Sequence, residues 1–120
     1  MKSLSLVAVL FIIAGCATNQ SPVNEVDIAA AETVEFMRPY ELSRNDVSFV
    51  SLGRVQGESC QANVFSNKPT QQEALLRMKV AAAELGANRL ILRRCQQDQT
   101  DECRARWICT GDAHQSQPLH

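Results

Sequence analysis

Apolar residues fall along this 120-residue chain in distinct patterns, and each predicts a different kind of element. From Leu4 to Ile13 they form a nearly continuous run, behind the basic Lys2 and ahead of the small pair Ala14-Gly15. Crossing a hydrocarbon core takes roughly 20 apolar residues, so this shorter run predicts an export signal rather than a membrane span. From Ala17 to Thr33 the pattern fades into polar, small and acidic residues with Pro22 among them, which predicts a tether. Within it, Val26 to Val34 offers an alternative, a short helix favoured by Ala29, Ala30 and Ala31.

Segments of period two then flank one segment of helical period. Val34-Glu35-Phe36-Met37-Arg38 alternates and stops at Pro39, predicting a short strand. Val47 to Val55 is rich in strand formers, with Gly53 marking a bulge or a close backbone contact. Gly57-Glu58-Ser59-Cys60 is expected to break that strand, and residues 61–69 to form a polar loop. Thr70 and Glu73 make a capping box, and Gly86 supplies a C-terminal stop. Between them Leu75, Met78, Ala82 and Leu85 form one apolar stripe, with Gln72, Arg77, Lys79 and Glu84 off it. Asn88 to Cys95 is a third strand whose apolar centre predicts an interior position. Arg104 to Thr110 pairs back on it as a hairpin, with Trp107 expected in the core rather than as an exposed docking anchor. After Ala113 the chain is expected to fray. The order strand, strand, helix, strand, strand predicts a small α+β domain, a four-stranded mostly antiparallel sheet with one packed helix. The organisation is a signal peptide over 1–15, a lipidated terminus and tether over 16–33, a bridged domain over 34–113 and a tail over 114–120.

Cysteine usage adds covalent staples to this picture. Cys60, Cys95, Cys103 and Cys109 are an even set in a small exported domain, which reads as two disulfides. Their spacing contains no CxxC pair and no histidine lies among them, which argues against structural zinc. Cys95 and Cys109 sit on facing strands of the hairpin, whereas Cys103 lies in its loop and reaches outward. Of three connectivities this favours Cys60 with Cys103 and Cys95 with Cys109.

Charge and candidate chemistry exclude more than they assign. Without the first 15 residues the chain holds 11 basic and 13 acidic side chains, which gives no general attraction to nucleic acid. Acids dominate residues 17–58, seven against three, and bases dominate 77–106, seven against four; this reads as a solvated mixed surface rather than a docking face. His114 and His120, the only histidines, fall in the expected tail, and Ser59 has no catalytic partner at a recognisable spacing. Asp98, Asp101 and Glu102 lack the alternation of a calcium loop and read as a solvated hairpin tip. No metal and no cofactor is expected, and no enzymatic activity.

Ile13-Ala14-Gly15-Cys16 resembles the bacterial lipobox, in which the cysteine becomes the acylated first residue of the mature protein. Multiple acyl chains anchor durably where one does not, and Ala17 in place of Asp resembles sorting to the outer membrane. Leu52-Gly53-Arg54-Val55-Gln56-Gly57-Glu58-Ser59-Cys60-Gln61-Ala62 resembles the LGxVxGxSCQA segment of the RcsF family, lipoprotein sensors of the Rcs envelope-stress phosphorelay. The likeness continues through Arg77-Met78-Lys79, Ala87-Asn88, Leu90 to Leu92, Cys95, Cys103 and Ile108-Cys109. It implies a helix-on-sheet fold with two nonconsecutive disulfides and a lipid on Cys16 as the sole added group. It also implies contacts with the barrel-assembly protein BamA and with porins, and signalling through the inner-membrane repressor IgaA. The family's longer linker, rich in Pro and Lys, is here short and acidic. An assembly-accessory lipoprotein of the same fold, without a signalling role, is the alternative reading.

Overall fold

The computed structural model describes residues 22–119, so the signal segment, the lipobox, Cys16 and His120 lie outside the described residues. The elements are α1 (Glu25–Ala31), β1 (Glu35–Phe36), a 3-10 helix (Pro39–Ser43), β2 (Val47–Gln61), α2 (Gln71–Glu84), β3 (Arg89–Asp98) and β4 (Ala105–Pro118). The strands make one sheet in the order β1-β3-β4-β2, antiparallel except that β1 runs parallel to β3. This is the α+β class expected from the sequence, with α1 as a second helix.

The longest ladder joins β2 to β4, from Val47 opposite Pro118 to Gln61 opposite Ala105. A bulge falls between Ser51 and Gly53, where Gly53 has a φ of 115°, as its glycine suggested. The expected break at Gly57 to Cys60 does not occur, because that glycine serves packing and not chain reversal. A Cβ at Gly57 would lie 2.2 Å from the Met78 amide nitrogen and 2.3 Å from the Ala74 carbonyl oxygen, so α2 rests directly on the strand. The expected fraying after Ala113 is also absent. Residues Val47 to Ser51 supply a partner strand for residues 114–118, and a polar sequence pairs as well as an apolar one when a neighbour completes its ladder. Asn88 reinforces this end, its side chain donating to the Ser116 carbonyl at 3.2 Å and accepting from the Ser116 amide at 2.8 Å. β3 extends three residues beyond Cys95, to Asp98, and lies between β1 and β4, the interior position expected for it, although β1 flanks it only at Arg89 and Leu90; β4 is the second interior strand.

Helix α2 starts as expected, with the Thr70 hydroxyl accepting from the Glu73 amide at 3.1 Å. It ends in a Schellman motif: Gly86, at φ 88°, donates to the Ala83 carbonyl and Ala87 to that of Ala82. The buried stripe is Ala74, Met78 and Ala82, with Leu75 at its margin and Leu85 48% exposed. Seating a helix against a glycine in a strand selects small side chains at the contact, and that displaces the leucines from its centre. Val34, Val55, Leu90, Cys109 and Ala113 complete the core around Met78.

Within the expected tether, residues 25–31 form α1, close to the helical alternative. Asn24 caps it by accepting from the Asp27 amide at 2.8 Å, and Glu25 and Asp27 stand in the first turn, where the helix dipole favours acids. The helix lies against α2 and buries Ala31, and Val34 follows it into the core. Part of the stretch expected as tether therefore packs on the head as α1.

Candidate functional site

Alternation along the strands sorts the chemistry onto two faces. Val55, Gly57 and Ser59 of β2 share the α2 side with Trp107, Cys109, Gly111 and Ala113 of β4, while Arg54, Glu58 and Cys60 share the other side with Arg106, Asp112 and His114. Cys95 and Cys109 are direct register partners with Cα atoms 4.0 Å apart, and their bridge lies beneath the helix, where Cys109 is fully buried. Cys60 bridges to Cys103, 43 residues away, in the loop that leads into β4, with Cα atoms 5.4 Å apart. The connectivity is the one favoured by the hairpin argument.

Several charged residues on the face away from α2 pair with one another. Arg106 donates two hydrogen bonds to its register partner Asp98, at 2.7 and 2.6 Å, and a third to Glu58 at 2.8 Å. The bidentate contact holds the Asp98 carboxyl below the usual aspartate range, and the same hydrogen bonds raise the Arg106 guanidinium further. Asp112 pairs with Arg93 at 3.2 Å and with Arg54 at 3.5 Å, and Arg89 with Glu35 at 3.5 Å. Of these pairs, only Glu58 with Arg106 and Glu35 with Arg89 join the acidic first segment to the basic second one; the others use Asp98 and Asp112 from the second half. Of the expected acidic tip, Asp98 belongs to this set, and Asp101 and Glu102 stand exposed.

Ser59, dismissed as a nucleophile, proves to be the polar link between sheet and helix. Its hydroxyl, 1% exposed, accepts from the Thr70 amide at 3.0 Å and donates to the Glu73 carboxylate, which also takes Arg77 at 3.1 Å. The capping box is therefore completed through a strand residue: Glu73 reaches the cap amide by way of Ser59. Thr70 and Glu73 were the visible signal, and the period of two would have placed Ser59 facing them. His114 is buried in β4 rather than in a tail, and its Nδ1 has no hydrogen-bond partner among the described residues. Trp107 packs against the core cluster, as expected. Sequence reasoning passed over Phe65, which is 94% exposed in the loop between β2 and α2.

A two-layer head whose sheet is stapled on both faces by cystines defines an exported, disulfide-stabilised α+β domain. Among the described residues no helix is long and apolar enough to cross a membrane. The chain belongs to the RcsF lipoprotein family, whose model matches residues 14–116. It is similar to two proteins named outer membrane lipoprotein RcsF, from Escherichia coli K12 and Escherichia coli O6:H1 strain CFT073. Each is 29% identical to it over 128 aligned positions, covering 94% of this chain and 96% of the relative.

Proposed function

We propose that this chain is an outer-membrane lipoprotein, anchored by acylation of Cys16, whose bridged head reports envelope damage to the Rcs phosphorelay through protein contact. The observation that carries the reading is the extent of the family match, which runs from Ala14 at the lipobox to Ser116 near the end of β4. The names of the two relatives supply the compartment and the anchor. By the resemblance, BamA and porins are the outer-membrane contacts and IgaA is the repressor whose relief starts the phosphorelay. Such a role asks for a stable shape rather than a reaction centre, and two cystines with cross-strand charge ladders suit it.

A reporter of phosphorelay output, in a strain lacking its own sensor, tests the reading. Complementation with this chain is expected to restore the response to envelope damage, and a Cys16→Ser variant to alter it by losing the anchor. Acylated, folded protein that reaches the outer membrane and gives no response would refute signalling and leave the assembly-accessory role.

A further inference from the structure

The segment between β2 and α2 presents apolar side chains to water from a well-built frame. Phe65 is 94% exposed and its neighbour Val64 57%. Asn63 folds the turn beneath them: its side-chain oxygen accepts from the Phe65 amide at 2.9 Å and its carbonyl from the Ser66 amide at 3.1 Å. Gln61, 8% exposed, donates from its side chain to the Ser66 carbonyl at 3.1 Å, and the Cys60 bridge precedes it. The aromatic is thus held outward by hydrogen bonds that a collapsed loop would forfeit.

The same corner is where the chain arrives from its anchor. Pro22 lines a depression of about 290 Å³ together with Phe65, Ser66, Asn67 and Lys68. Cys16 lies six residues before Pro22, a distance of at most about 20 Å along an extended backbone. A bilayer holding acyl chains on Cys16 therefore stands within reach of the loop at all times, at the high effective concentration that a short tether imposes.

We infer that this loop is a membrane-contact tip, in which Phe65 and Val64 insert into the phospholipid surface that carries the anchor and so hold the head beside it. The inference rests on the proposed acylation of Cys16. Residues 61–70 contain Lys68 and no acid, while Asp101 and Glu102 stand on the loop that the Cys60–Cys103 bridge ties alongside. Nearby charge is mixed, so insertion depends on the aromatic and persists at raised salt.

The test uses the full acylated chain in vesicles of phosphatidylethanolamine and phosphatidylglycerol, with Phe65→Trp as probe and the wild type, whose single tryptophan is Trp107, as baseline. An interfacial residue sits roughly 5 to 10 Å into the headgroup and acyl boundary, so the new indole is expected to shift its emission to the blue and lose about half of it to lipids brominated on the acyl chains. Trp107, packed against the core, is expected to change little. Mass spectrometry of the N-terminal peptide separates the outcomes. An acylated chain whose residue 65 emission is unmoved overturns the docking alone, whatever else the loop binds; a chain without acyl groups overturns the anchor and the docking with it.

Discussion

Alanine at Gly57 is the sharpest perturbation this fold offers, because what it meets is backbone. The added Cβ would stand 2.2 Å from the Met78 nitrogen, 2.3 Å from the Ala74 oxygen and 2.8 Å from the Arg77 carbonyl carbon, where ordinary contact begins at 3.4 Å. No rotamer change relieves such contacts, so α2 must withdraw from β2 by about 1 Å. A gap of about 0.5 to 1 Å forfeits a quarter to a half of the dispersion well at each facing atom, and the loss falls on the tightly buried Ala74, Met78 and Ala82. Overpacking typically costs about 1 to 3 kcal/mol, and a collision with main chain places this one near about 3 kcal/mol. For a domain of this size each kcal/mol lowers Tm by roughly 4 to 8 °C, which predicts a fall of about 12 to 24 °C. Thermal unfolding of the oxidised chain, followed by far-ultraviolet circular dichroism, measures it, and amide exchange in α2 should rise in parallel. A Gly57→Ala protein melting within about 4 °C of the wild type, with α2 as protected as before, would show that the helix does not rest on the strand in this way.

Ser59→Ala leaves the Thr70 amide and the Glu73 carboxylate without their shared buried hydroxyl. A loss of about 1 to 3 kcal/mol in denaturant unfolding is expected, and one below about 0.5 kcal/mol would refute the bridge. For Asp98, whose folded pKa lies below the ordinary 3.8 chiefly because Arg106 hydrogen-bonds it, the stabilisation is complete above the unfolded value and is lost as pH falls through the folded one. The stability deficit of Asp98→Asn should therefore be present at neutral pH and shrink in acid below 3.8; a deficit that is constant down to the acid limit would contradict the pairing. Removing Cys60–Cys103 opens a loop spanning 43 residues and removing Cys95–Cys109 one spanning 14, so chain entropy predicts losses of about 4 and about 3 kcal/mol. Unfolding of the two paired Cys→Ala variants checks the order, and a reversal would mean that packing around the buried Cys109 outweighs loop closure.

Elements with a local cause were legible from the residues alone. The α2 boundaries follow from Thr70, Glu73 and Gly86, and the Cys95–Cys109 bridge follows from a hairpin whose strands must face each other. What escaped the sequence depends on a partner distant along the chain. The polar run after Ala113 carries no strand signal of its own and becomes a strand because Val47 to Ser51 lie beside it. Gly57 reads locally as a breaker, and only the helix above it reveals an approach that excludes a side chain. Ser59 looks idle until the strand continues through it and brings its hydroxyl under the cap of α2. For the candidate site the division is similar: the cystine pairs were accessible from topology, whereas Phe65 sits in a loop whose exposure no periodicity reports.

The placement of the staples divides the head mechanically. Both bridges tie sheet strands to one another or to the loop between β3 and β4, and neither joins α1 or α2 covalently to the sheet. The sheet is covalently fixed, while the helical layer stays in place through the contact at Gly57, the Ser59 hydroxyl and the burial of Met78. Helix α1 is the extreme case, since its seven residues fall well short of the roughly 12 to 15 that an isolated helix needs in water. It exists because Ala31 and Val34 are buried. That dependence sets how far the head stands from Cys16. With α1 docked, the extended chain from Cys16 to Pro22 spans at most about 20 Å, whereas the same chain drawn out to Thr33 would span about 60 Å. The reach is therefore governed by the few buried side chains that hold α1 to α2 at least as much as by the length of the linker.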